Sequence, residues 1–186
     1  RYPKCLIIFG GPQVPNSDRL DDFFDKYPFI DIAVHGEGEI TFSEILLECV
    51  NERNFKTIPG LSYHGFTTEL RPRTRDLTKF PSPYLTGIFD ELFTLPYHFH
   101  AVWETNRGCP YGCTFCDWGS LIAQKIFLFD EERLYKEMEY FAKKKISHVY
   151  MGDANFGILD RDVEIARRIA SINKNNGGFP NKVRVN

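Results

Sequence analysis

The sequence predicts an α/β fold in which two stretches of alternating strand and helix flank an irregular connector. Three observations carry that prediction. Short apolar runs end in glycine or a turn, the mark of buried parallel strands. Segments with helical apolar stripes lie between them, and strand–helix alternation implies a parallel sheet. Prolines and glycines punctuate residues 55–100, as in "PGLSYHG", "RPRTRD" and "FPSPYLTG".

The first stretch covers residues 1–54. "CLIIFGG" reads as a strand and its exit loop, with Cys5 inside a buried run. "DRLDDFFDKY" reads as a short helix and "FIDIAVHGEGE" as a second strand running into glycines. In "TFSEILLECVNE", Phe42, Ile45, Leu46, Cys49 and Val50 recur at helical spacing. The β-α-β-α order is that of a doubly wound sheet. In the connector, one hairpin is expected around "LSYHGFTTEL".

The second stretch covers residues 101–186. "HAVWETN" is a strand, with Trp103 a packing residue. "FDEERLYKEMEYFAKKK" is a helix: Asp130 can cap it, Glu131 and Glu132 suit its positive end, and Lys143 to Lys145 suit its negative end. Leu134, Met138 and Phe141 form its apolar stripe. "SHVYMGD" is the next strand, Asp160 opens the helix "RDVEIARRIASINK", and "KVRVN" begins a third strand. Strand patterns lie close to both ends, so the chain is expected to be a fragment of a longer protein.

Hydrophobic residues make up 42% of the 186 positions and charged residues 26%, as in ordinary globular chains. A net charge of −2 gives no electrostatic reason to expect nucleic acid or an anionic membrane as partner. The apolar runs are too short to span a bilayer. No signal-peptide pattern is present, so a cytoplasmic, reducing compartment is the expectation. There, clustered cysteines are metal ligands or redox groups more often than disulfides, and five cysteines is an odd number.

Three of the five lie together in "RGCPYGCTFCDWG", as Cys109, Cys113 and Cys116 with C-x₃-C-x₂-C spacing. The loop follows a strand directly, where parallel α/β proteins place ligands. Gly108 and Gly112 let backbone wrap closely round a bulky inorganic group. Cys5, in a strand pattern, and Cys49, on an apolar stripe, are poor candidates for a fourth ligand. Three thiolates on a four-iron cluster leave one iron open to bind and activate a small molecule.

The motif, with the aromatic Phe115 before its last cysteine and a β/α order after it, resembles the radical S-adenosylmethionine (radical SAM) superfamily. The resemblance implies the first β/α units of a partial β/α barrel. It also implies a [4Fe-4S] cluster on Cys109, Cys113 and Cys116, with Phe115 against the adenine of S-adenosylmethionine. That family often carries Gly-Gly-Glu after its second strand, facing the methionine amino group; here the place reads Gly152-Asp153-Ala154. The N-terminal "IIFGGPQVP" and "DIAVHGEGEITFSEIL" are similar to the end of the cobalamin-binding domain of one large subgroup. There a Gly-Gly loop packs on the corrinoid's nucleotide tail, and Gly10 and Gly11 match it.

Simpler readings stand beside these. The cysteines could hold structural zinc, with His98 or His100 as fourth ligand. Gly10-Gly11 could be an ordinary turn, and Asp153 and Asn155 could belong to one. Glu37 and Glu39 suit the positive end of a helix. Trp118 reads as packing, and His35, His64 and His148 show no ligand spacing. The resemblance implies an enzyme that cleaves S-adenosylmethionine reductively for cobalamin-dependent methyl transfer. Radical rearrangement or cyclisation without methyl transfer, or the same radical core without cobalamin, is the alternative. From another class, a ferredoxin-like electron carrier or zinc-stabilised binding module is possible. A small-molecule or peptide substrate and an electron donor such as flavodoxin or ferredoxin would be the partners.

Overall fold

A computed structural model describes residues 5–15, 17–63, 65–116 and 125–185. Trp118 and His64 lie outside the described residues. The chain forms two compact units, residues 1–74 and 75–186. The stretch 55–100 is thus shared: 55–74 packs in the first unit and 75–100 in the second.

The first unit is built on β1 (Ile8–Gly10) and β2 (Ile32–Val34), paired in parallel with Ile8 opposite Ile32. Between them runs α1 (Leu20–Lys26), whose Leu20, Phe23 and Phe24 are buried with Ile30 and Ala33. The expected hairpin is present as β3 (Leu61–Tyr63) and β4 (Phe66–Thr67). It does not stand apart from the sheet. β3 pairs antiparallel with β2, Val34 opposite Leu61, so the order β1-β2-β3-β4 is mixed rather than purely parallel. The fully buried Leu61 gives the reason, since it completes the core of Ile32, Val34, Ile45 and Ile58.

α2 (Gly38–Val50) begins as expected but turns a different edge inward. Thr41 and Ile45 are buried and Cys49 is half-buried, whereas Phe42, Leu46 and Val50 of the predicted stripe are exposed. Thr41 tolerates burial because its hydroxyl donates to the Pro59 carbonyl at 3.4 Å and accepts from Arg71 Nε at 2.8 Å. Glu37 precedes the helix and Glu39 lies in its first turn, where the helix dipole favours negative charge. Cys5 is exposed and precedes β1, because strand pairing begins only at Ile8.

The second unit has an all-parallel sheet, β5 (His100–Trp103), β8 (His148–Met151) and β9 (Lys182–Arg184), in the order β5-β8-β9. Two very short strands, β6 (Asn106–Arg107) and β7 (Phe127–Leu128), pair separately and antiparallel. Between the parallel strands lie α3 (Glu131–Lys143) and α4 (Asp160–Asn175). Side chains alternate along a strand. Ala101, Trp103, Val149 and Met151 therefore share one face, and they pack with Leu134, Met138, Phe141, Ile165 and Ile172.

α3 starts where its cap predicts: Asp130 Oδ1 accepts the Arg133 backbone N–H at 2.9 Å. Buried Glu137 accepts Trp103 Nε1 at 2.7 Å and Arg133 Nε at 3.0 Å, which satisfies its charge. Residues 75–100 have little regular structure but supply core. Leu77 is buried, and Phe80, Tyr84, Phe93 and Phe99 pack against the main cluster. The Tyr84 and Phe141 rings meet edge to face with centroids 4.7 Å apart. Among the described residues no helix is long and apolar enough to cross a membrane.

Leu134 is 0% exposed at the centre of this core. Leu134→Ala is expected to cost about 2–5 kcal/mol, the range for emptying a buried leucine site. Lys136→Ala, two residues away and exposed, should leave the urea midpoint unchanged within error. Equal midpoints for both variants would mean that α3 does not pack as described.

Candidate active site

β5 and β8 end level, with Trp103 opposite Met151, and Gly152 N–H donates to the Trp103 carbonyl at 2.7 Å. One carboxylate ties together the segments that leave the two strands. Asp153, 1% exposed, accepts at Oδ1 the backbone N–H of Thr105 at 2.7 Å and of Asn106 at 3.2 Å. Its Oδ2 accepts Asn106 Nδ2 at 3.1 Å and the Thr105 hydroxyl. Burial raises the Asp153 pKa above the ordinary carboxylate value, and the nearby Asp162 charge adds to the rise. The hydrogen bonds from Thr105 and Asn106 oppose it.

From Asn106 the chain enters the cysteine loop. β6 and β7 close the base, with Asn106 opposite Leu128 and Arg107 opposite Phe127. Phe129 N–H donates to the Thr105 carbonyl at 3.0 Å. Arg161 of α4 fastens the same place, giving Nη2 to the Thr105 carbonyl at 2.6 Å and Nη1 to the Phe129 carbonyl at 2.9 Å. Gly108 has φ +117°, and a Cβ there would stand 2.1 Å from the Lys125 carbonyl oxygen. Only glycine fits such an approach of backbone to backbone.

The three cysteines of the motif are free thiols on this loop. Cys109 is 6% exposed and its Sγ receives Asn155 Nδ2 at 3.1 Å. Cys113 is exposed and Cys116 half-buried, linked by the Cys116 N–H to the Cys113 carbonyl at 3.2 Å. Phe115 is 90% exposed. Among the described residues no three His, Cys, Asp or Glu side chains converge on one point, so the loop carries the thiols without gathering them. The donor chemistry fits an iron–sulfur cluster: three reduced thiols on one short, glycine-bearing loop at the end of a parallel strand. His100 lies against His148, ring centroids 4.7 Å apart, and joins no such group.

Among the other sequence-predicted residues, Gly152 and Asp153 sit directly after β8. A Cβ on Gly152 would meet only ordinary contacts, 3.8 Å from the Trp103 carbonyl oxygen and from Val102. Asp153 spends its carboxylate on Thr105 and Asn106. In the first unit, Gly10 ends β1 and Gly11 follows with φ +87°, a conformation that favours glycine. Both are exposed, and open space lies where a Gly11 side chain would stand. Sequence periodicity does not point to Thr105, Asn106 or Arg161. None of the three carries a signal of its own in the residue pattern.

No family model matches the chain. It is 42% identical, along its whole length, to the cobalamin-dependent radical SAM methyltransferase TokK of Streptomyces tokunonensis. It is 44% identical, again along its whole length, to the 2-(S-pantetheinyl)-carbapenam-3-carboxylate methyltransferase of Streptantibioticus cattleyicolor. The chain spans 28% of the length of each of these relatives. Among solved structures it resembles the cobalamin-dependent radical enzyme OxsB, with TM-score 0.62 and 22% identity over 90% of this chain and 24% of that one. It also resembles the radical methyltransferase TsrM of Kitasatospora setae, with TM-score 0.64 and 17% identity over 98% of this chain and 37% of that one. At such identities the structural likeness speaks for the fold alone, a mixed α/β arrangement. The whole-length similarity and the cysteine motif both liken the chain to the cobalamin-dependent branch of the radical SAM superfamily.

Asp153→Ala strands several buried donors and is expected to cost about 3 kcal/mol or more. Asp153→Asn keeps the shape and adds a pH signature. The folded pKa is raised above 3.8, so the carboxyl's contribution is fully present below that pH and is lost as pH rises through the raised value. Asparagine does not titrate. The stability of the wild type relative to Asp153→Asn should therefore decline from acid towards neutral pH in urea unfolding. A relative stability that grows with pH would contradict the assignment.

Proposed function

We propose that the parent of this chain is an iron–sulfur enzyme that cleaves S-adenosylmethionine reductively and uses cobalamin for methyl transfer. The observation that carries the reading is the C-x₃-C-x₂-C loop leaving the carboxyl end of a parallel strand. Identity of 42–44% along the whole chain to the two methyltransferases supports it. The first unit, residues 1–74, then holds the C-terminal part of a cobalamin-binding-like domain, and the second, residues 75–186, begins a radical SAM core. A reducing, cytoplasmic setting suits the free thiols.

In this reading Cys109, Cys113 and Cys116 hold a [4Fe-4S] cluster and leave one iron to the substrate side. When bound, the cluster supplies the electron that breaks a carbon–sulfur bond of S-adenosylmethionine. Phe115 is exposed and free to lie against the adenine. Gly152 keeps the end of β8 slim where the methionine part would lie. Asp153 acts at one remove, holding the backbone from which the loop departs. Gly10 and Gly11 offer a flat, side-chain-free edge to the nucleotide tail of cobalamin. The acceptor is a small molecule or a peptide, and a flavodoxin- or ferredoxin-type protein delivers the electron.

Mass spectrometry of the quenched reaction tests this reading in the full-length parent with reductant, cobalamin and acceptor. Both S-adenosylhomocysteine and 5′-deoxyadenosine are expected, and Cys→Ala at any of positions 109, 113 or 116 should abolish the deoxyadenosine. Deoxyadenosine without S-adenosylhomocysteine would replace methyl transfer by rearrangement or cyclisation.

A further inference from the structure

The Asn155 side chain hydrogen-bonds a ligand candidate: its Nδ2 stands 3.1 Å from Cys109 Sγ. Cys109 is the most buried of the three cysteines. The donor is well placed to be held there. It lies two residues beyond Asp153, whose carboxylate fixes this segment against Thr105 and Asn106. Farther along, Asp162 Oδ2 accepts the backbone N–H groups of Gly157 at 2.8 Å and Leu159 at 3.1 Å, so the segment is fastened on both sides of Asn155. A neutral amide N–H directed at a thiolate stabilises negative charge on sulfur. Adding an electron to a cluster increases that charge, so the N–H favours the reduced form and raises the potential. The effect is largest where water is excluded, as at Cys109, and smallest at exposed Cys113.

We infer that Asn155 is a positioning residue that donates to the Cys109 thiolate and tunes the reduction potential of the cluster that Cys109 ligates. The inference rests on the cluster reading above. It assigns Asn155 to the cysteine loop rather than to a mere turn after β8.

The test is an EPR-monitored redox titration of the anaerobically reconstituted full-length parent. Dithionite, with mediators, supplies one electron per cluster and no bond is made or broken. Asn155→Leu removes the donor, and the near-isosteric Asn155→Asp replaces it by a carboxylate while keeping the packing. Both should retain wild-type iron and sulfide. At the wild-type midpoint the reduced-to-oxidised ratio should fall about three- to tenfold in Asn155→Leu, tenfold being 59 mV for one electron. It should fall further in Asn155→Asp, whose negative charge opposes reduction. Midpoints that coincide in all three proteins would overturn the role of Asn155 while leaving the cluster in place. Loss of iron in both variants would make it a structural prop instead. A wild type that assembles no four-iron cluster would overturn the cluster reading, and this inference with it.

Discussion

A buried carboxylate sets the geometry of everything around the cysteines. Asp153, just past the end of β8, takes hydrogen bonds from Thr105 and Asn106, just past the end of β5. It so locks the exit of one strand to the exit of the other. Parallel strands are joined along their length by backbone bonds, but the pairing of these two stops at Trp103 and Met151. Beyond that point the described pairing of these two strands continues only as the Gly152 N–H bond to the Trp103 carbonyl. From there the residues entering the loop are held by side-chain donors and acceptors together with the short β6–β7 pair. The Arg161 guanidinium, holding the Thr105 and Phe129 carbonyls, fixes the return of the loop to the same spot. The cysteine loop is therefore an excursion with a rigid base.

A rigid base suits a loop that surrounds an inorganic group. Ligand donors on a short excursion must converge without help from regular structure, so precision has to come from where the excursion begins and ends. Gly108 shows how tight that base is, with room for no side chain against the Lys125 carbonyl. By contrast, Cys113 and Phe115, farther along the loop, are exposed. Asn155 connects the two regimes. It is anchored with the base and touches Cys109, the first cysteine of the motif.

The parts of the fold driven by apolar periodicity were legible in the sequence. Leu134, Met138 and Phe141 mark the inner face of α3, and Asp130 marks its start, because burial and capping leave direct residue patterns. α2 was harder. A run of Phe42, Ile45, Leu46, Cys49 and Val50 defines a wide stripe, and only tertiary hydrogen bonds to Thr41 decide which edge turns inward. β6 and β7 are two residues each, too short for any period to register. Residues 75–100 read as connector because their aromatic residues follow neither a helical nor a strand spacing, although Leu77 and Tyr84 serve the core. At the site, the cysteines announced themselves by type and spacing. Thr105, Asn106 and Arg161 did not, since single polar residues carry no signal until the fold brings them together.

In the proposed function, three thiolates from this loop hold a four-iron cluster and leave one iron for S-adenosylmethionine. Mössbauer spectroscopy of the full-length parent, reconstituted with ⁵⁷Fe and recorded with and without S-adenosylmethionine, addresses it most directly. Four irons per chain are expected, of which one alone changes its isomer shift when S-adenosylmethionine is added. Four irons that all remain unchanged on that addition, or a mononuclear metal in place of the cluster, would contradict it.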